Sequence, residues 1–300
     1  MKQINTPKHS AIKNEAIRAS SANAALCENA ASSANAALCE NAASSANAAL
    51  CENAASNANA ALCENAASSA NAAHSAKDAK ITRQSAQNRL VHWGVAFSIF
   101  GLIFSGILQL PVAKRYMLNE LPLMAWSADY SISLIVHYVF AALLMIFGAF
   151  HLSYHFGRKE FDIVPKKGDF SASVAVIKAM IKGGKEPPSA KYLPEQRLAY
   201  AAIAAIIMLL VITGLIKTYK NLAGLNLSEN VMFWASWLHN LGMFLMILAI
   251  IGHLAAFIFK ANRPLLSAMF SGKVSAKYTL CRHARWDEGI KEAKKALKRG

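Results

Sequence analysis

Six of the nine histidines in this 300-residue chain, His92, His137, His151, His155, His239 and His253, fall in stretches otherwise free of charge. A neutral imidazole carries one lone pair and one N–H, which suits it to ligate a transition metal, relay a proton or bond across packed helices. Ionisable groups in an apolar phase are costly and mark pathways or cofactors. Here the spacing also repeats. His253 follows His239 by fourteen residues, and His151 follows His137 by the same interval. Fourteen residues of α-helix rise by about 21 Å and rotate to within about 40° of four full turns. His239 and His253 therefore share one helix face at two depths. Imidazole is a good axial ligand for haem iron, and helix bundles place cofactor ligands on facing helices. The pattern points to two b-type haems, each held by two histidines.

The elements that carry these residues are legible from charge. Residues 91–111, 131–157, 198–216 and 231–259 contain no Asp, Glu, Lys or Arg. A helix needs roughly 20 apolar residues to cross a bilayer, and a crossing segment must satisfy its own backbone. The expected fold is an all-α integral membrane protein with four transmembrane helices. Too little other sequence remains to bury these windows inside a soluble domain. The net charge of +15 then reports orientation, with no nucleic-acid partner expected. Residues 1–90, 158–197 and 260–300 hold 28 of the 32 lysines and arginines. The positive-inside rule places them, and both termini, in the cytoplasm. The polar N-terminal region holds no short apolar core with a cleavage site, so no signal peptide is expected.

This topology sorts the histidines by depth. His92 sits at the cytoplasmic end of the first span. His137 lies in the outer part of the second, with His151 and His155 toward the cytoplasm. His239 is outer and His253 inner on the fourth. Depth matches His137 with His239 and His92 with His253. A second arrangement remains open, in which His151 replaces His92 and the second and fourth spans supply all four ligands.

Residues 1–88 form a low-complexity arm. The unit SSANAALCENAA stands at 20–31, 32–43 and 44–55, recurs at 56–67 with Asn57 for serine, and breaks off near Ala73. Its cysteines, Cys27, Cys39, Cys51 and Cys63, are twelve residues apart, too far for a zinc-binding pair and out of phase for a helical stripe. Its Ala/Ser/Asn composition cannot bury a core, which predicts a disordered tether. The fifth cysteine, Cys281, is expected as a reduced thiol in a cytoplasmic tail. Residues 89–262 are the expected four-helix cytochrome domain, and 263–300 a basic tail ending in a solvated helix. In the inner loop, a helix over SASVAVIKAMIKGGK would gather Val176, Ile177, Met180 and Ile181 within about 140°. That predicts a short helix lying on lipid.

From Asn88 to about Trp286 the chain resembles the γ subunit of membrane-bound formate dehydrogenases, a di-haem cytochrome b also similar to hydrogenase cytochrome b subunits. The matching stretches are NRLVHWGVAFSIFGLIFSGILQLP, KYLPEQRLAY leading into VITGL, LHNLGMFLMILAIIGH and GKVSAKYTLCRHARW, in that order. The resemblance implies His92, His137, His239 and His253 as axial ligands of two haem b. It implies an iron–sulfur β subunit and a molybdenum or tungsten α subunit outside the membrane, with menaquinone or another quinone reduced near the inner haem. Formate would be oxidised in the α subunit, and this chain would carry only electrons. The family's quinone pocket draws on the segment matching KYLPEQR. Gln196 keeps its place there, while Leu193 and Glu195 stand where Asn and Gly are expected. Tyr192, Gln196, His151 and His155 are the candidates for the quinone or inner-haem environment, with Tyr154 at the same level. The rivals are a proton-coupled transporter using histidine relays, and a haem-free anchor for a peripheral enzyme.

Overall fold

The computed structural model describes residues 79–182, 186–223 and 226–297. The repeats, and the arm expected to be disordered as far as residue 78, lie outside these residues, whereas the last part of that arm, residues 79–88, forms β1 and the first residues of α1. In chain order the elements are β1 (Lys80–Thr82), α1 (Ala86–Gln109), α2 (Pro111–Arg115), α3 (Tyr130–Arg158), α4 (Asp169–Lys182), α5 (Pro194–Ala223), α6 (Glu229–Ala255), α7 (Arg263–Ser271), β2 (Lys273–Ser275), α8 (Ala276–Arg282) and α9 (Asp287–Leu297). Short 3-10 turns precede α3 and follow α6. The strands pair as a two-stranded ribbon, which the apolar pattern did not foretell. Among the described residues, four helices are long and apolar enough to cross a membrane: α1, α3, α5 and α6 with its C-terminal turn. Each coincides with one of the four charge-free windows to within two residues at its C-terminal end or contains it.

Local chemistry starts and stops these helices. Ser85 accepts from Asn88 N at 3.2 Å, Asp129 from Ser131 N at 2.8 Å, and Ser228 from Val231 N at 3.4 Å. Each hydroxyl or carboxylate satisfies a first-turn N–H that has no partner within the helix. Pro194 opens α5, and Gln196 Oε1 reaches back to Leu193 N at 3.2 Å, one half of a capping box. Within the spans, Ser98, Ser105 and Thr213 donate to the carbonyls of Gly94, Gly101 and Leu209, so their hydroxyls cost little in an apolar setting.

The chain divides into two compact units. The larger comprises Ile81–Pro187 and Lys191–Val274 and contains all four spans. In it α1 packs along α3, and α5 along α6, as two close hairpins. Gly94 and Gly101 of α1 take the rings of Phe147 and Phe140 against the backbone, where a Cβ would overlap them. Ile99, Leu144 and Met246, from three of the spans, form a buried centre with Ile206 and Leu210 packed against it. Outward-facing Phe97, Ile146, Met208 and Phe244 remain exposed, as expected where lipid is the solvent.

The helix expected in the inner loop is α4, but its apolar arc does not form one face. Val176 is buried, whereas Ile177 and Ile181 join Phe170 and Val174 on an exposed stripe. The reason is a buried ion pair that sets the rotation of α4. Both oxygens of Asp169 bond the Arg197 guanidinium at the start of α5, with Arg197 Nε to Oδ2 at 2.7 Å. Oδ2 also accepts from Lys166 N at 2.6 Å.

The smaller unit includes Pro188–Ala190 and the residues from Ser275 onward. His283 is fully buried in it and donates Nδ1–H to Ala190 O at 2.7 Å. Helix α9 buries Ile290 and Ala293 and keeps its lysines in solvent, so the terminal helix is solvated on one side only. Cys281 is disulfide-bonded, not the reduced thiol expected; sequence spacing carries no information about which cysteines meet in space.

The hydrogen bonds from Arg197 hold the Asp169 carboxyl below the usual carboxylate range. A lowered value means the stabilisation is complete above the ordinary carboxylate pKa and is lost as pH falls through the folded value. Asp169→Ala leaves a buried guanidinium unpaired, which costs about 3–5 kcal/mol. Limited trypsin digestion should then cut α4 at Lys178 and Lys182 faster than in the parent chain at neutral pH, and the parent should approach the variant's pattern in acid. Equal cleavage at neutral pH would contradict this.

Candidate functional site

The six span histidines fall into two opposed pairs and one side cluster. The rings of His137 on α3 and His239 on α6 face each other with centroids 6.3 Å apart. Those of His92 on α1 and His253 on α6 do the same, also at 6.3 Å. Each pair joins one hairpin to the other. The partner of His253 is thus His92, while His151 turns aside to Tyr200 of α5, its Nε2 2.9 Å from the phenol oxygen. Of the two arrangements open in the sequence, the geometry assembles the first.

The outer imidazoles are aimed by hydroxyls. Ser105 Oγ lies 2.9 Å from His137 Nδ1, and Thr213 Oγ1 lies 2.9 Å from His239 Nδ1. Each hydroxyl gives its only proton to a carbonyl one turn back, at 2.7 Å in both cases. It can therefore only accept from the ring, so both Nδ1 atoms carry hydrogen and both Nε2 lone pairs are left for another partner. The following glycine lets the ring lie close. A Cβ on Gly106 would sit 3.6 Å from His137 Cε1, and one on Gly214 would sit 3.4 Å from His239 Cε1. Metal-bound histidines depend on such outer contacts to fix tautomer and orientation.

The two hairpins repeat this register. Ser105 and Thr213 each stand thirteen residues after an inner-level residue, His92 and Tyr200, and His137 and His239 each precede a second histidine by fourteen. Inside the repeat, the inner level has diverged: His92 opposes His253, while Tyr200 bonds His151. The dipeptides Ser105–Gly106 and Thr213–Gly214 were the signal for the two hydroxyls. They were visible in the sequence, but only contact with a ring gives them meaning.

The donor set suits haem b. An imidazole nitrogen lies about 1.1 Å from its ring centroid and a metal–imidazole bond is about 2.0 Å, so two rings opposed across one metal have centroids about 6.2 Å apart. Both pairs match. Among the described residues no three His, Cys, Asp or Glu side chains converge as a cage for a bare ion. Two opposed imidazoles suit a metal that brings its own equatorial donors, as porphyrin does. His92 Nδ1 is buried without a hydrogen-bond partner, a further sign that this ring is placed for something besides packing. His253 is the most open of the four rings.

The other candidates lie around the inner level without forming one pocket. His155 donates Nδ1–H to Glu160 O at 3.0 Å, and its ring is 4.5 Å from that of His151. Tyr154 OH is 3.4 Å from Ser85 Oγ. Tyr192 carries the Arg83 guanidinium over its ring, and burial pushes its phenol above the ordinary range. Gln196 has its carbonyl oxygen committed to the α5 cap. Tyr200 was missed in the sequence, where nothing distinguished it from other interfacial tyrosines. A concavity of about 470 Å³, lined by Leu215, Ile216, Thr218, Tyr219, Leu227 and Val231, touches none of the histidines.

Four helices long and apolar enough to cross a membrane, carrying two pairs of neighbouring imidazoles, are what a membrane cytochrome would need. The chain belongs to the prokaryotic cytochrome b561 family, whose match covers residues 83–272 and so all four spans and both pairs. It is accordingly a membrane cytochrome b, a haem-binding protein of electron transport. No curated protein matches the chain.

The tautomers can be tested without a cofactor. In the apoprotein, nitrogen-15 NMR of labelled histidine should show two rings held as Nδ1–H. Thr213→Ala should convert one of them to a mixture of tautomers, and Ser105→Ala the other. Mixed tautomers at both positions in the parent would contradict the hydroxyl-acceptor assignment.

Proposed function

We propose that the chain is the cytochrome b subunit of a formate dehydrogenase complex in the bacterial inner membrane, with both termini cytoplasmic. Electrons would arrive from an iron–sulfur subunit on the outer face, itself served by a molybdenum or tungsten catalytic subunit. They would leave to menaquinone or another quinone near the cytoplasmic face. The observation that carries this reading is the pair of histidine sets opposed at 6.3 Å, one near each end of the bundle. His137 and His239 would hold the outer haem, and His92 and His253 the inner one. Bound there, haem b supplies a one-electron couple at each level.

The chain's own residues supply the rest. Ser105 and Thr213 keep the outer Nε2 lone pairs pointed inward. Met246 lies seven residues from both His239 and His253, and Leu144 seven from both His137 and His151, so the buried apolar centre falls between the two levels. That layer keeps water and protons out of the middle of the bundle. Quinone reduction takes up two protons with two electrons, and the inner level offers groups to hold them. His151 and Tyr200 share one hydrogen bond, and His155, anchored through Nδ1, keeps Nε2 as an acceptor. A hydrogenase or another quinone-linked dehydrogenase would use the same bundle, because the electron donor is recognised by other subunits.

A dithionite-reduced minus oxidised spectrum of the purified chain should show b-type bands at two haems per polypeptide. His239→Ala should leave one, with membrane insertion unchanged. Two haems in that variant would contradict the ligand assignment, and a colourless parent chain would favour a transporter or a bare anchor.

A further inference from the structure

Lys217 is a cation that neither the fold nor the proposed route employs. It lies on α5, four residues after Thr213. Positions i and i+4 stand one above the other on a helix, with Cβ atoms about 5–6 Å apart. The ammonium thus belongs to the face that supports His239, one turn nearer the outer end. Its side chain is half-buried. Among the described residues no carboxylate pairs with Lys217. The corresponding position in the first hairpin, four residues after Ser105, is Gln109, whose amide is spent on Ser105 O at 3.2 Å. The lysine therefore has no counterpart at the matching position of the first hairpin.

A half-buried lysine without an anion has either a lipid phosphate or a bound anionic ligand to meet. Haem b carries two propionate carboxylates, and charged groups on a membrane cofactor turn toward the nearer aqueous face. At the outer level that direction is the one in which Lys217 is displaced from Thr213. We propose that the Lys217 ammonium binds the propionate edge of the cofactor held by His137 and His239, and raises the midpoint potential of that cofactor alone. This rests on the ligand assignment given above.

The test is a redox titration of the full-length purified chain, followed in the b-type absorption bands, for the parent, Lys217→Met and Lys217→Arg. A fixed positive charge favours the reduced form, so its removal should lower one of the two midpoints by about tenfold in the reduction equilibrium, about 59 mV for one electron. The other midpoint and the count of two haems should not change, and Lys217→Arg should recover most of the shift. Loss of one haem from Lys217→Met, with both kept in Lys217→Arg, would equally support a charge contact. Two haems with both midpoints unchanged in Lys217→Met would overturn the proposal and assign the lysine to lipid phosphate, while the histidine assignment stands. A parent chain without haem would instead fail that assignment and this inference with it.

Discussion

A hydroxyl that has already donated its proton is the constraint on which the site depends. In an apolar helix, Ser105 and Thr213 have one favourable use for their hydrogen, the carbonyl one turn back. That choice leaves each oxygen as a pure acceptor, and an acceptor at Nδ1 permits only one tautomer of the neighbouring ring. The lone pair of His137 is then left free at Nε2, as is that of His239 on the other hairpin, whose ring lies 6.3 Å away. Backbone satisfaction, the rule that makes these segments helices, thus also decides which nitrogen each outer ring presents.

The repeat between the hairpins explains how four helices make two levels. Each hairpin brings a hydroxyl–glycine step on its first helix against a histidine on its second, with another histidine fourteen residues on. A helical register of fourteen residues returns nearly to the same face. Symmetry would give identical inner levels in both halves. Instead, the two contacts that cross between the hairpins at the inner level differ: His92 opposes His253, whereas Tyr200 bonds His151. One register of spacing thus brings an opposed imidazole pair and a His–Tyr hydrogen bond to the same level.

Much of this was legible in the sequence, for a physical reason. Lipid tolerates charge so poorly that its absence marks the spans, and the few ionisable groups left inside are there to be explained. The four spans and the two-level placement of histidines followed from charge and periodicity alone. What stayed hidden required contact. Asp169 and Arg197 are 28 residues apart, and nothing in their spacing says that they meet; their pairing is what turns Val176 inward and leaves Ile177 exposed on α4. Nothing in the sequence singles out Tyr200 or Lys217 from their neighbours. Gln196, expected beside a quinone, is engaged by the turn that starts its own helix, a local bond that the Leu193–Pro194 context could have suggested.

Electron paramagnetic resonance of the oxidised, purified chain bears most directly on whether opposed imidazoles hold the iron. The account requires two low-spin ferric signals of the bis-imidazole type, in equal amount. A single low-spin signal, or iron that is predominantly high-spin with one axial position open, would contradict it.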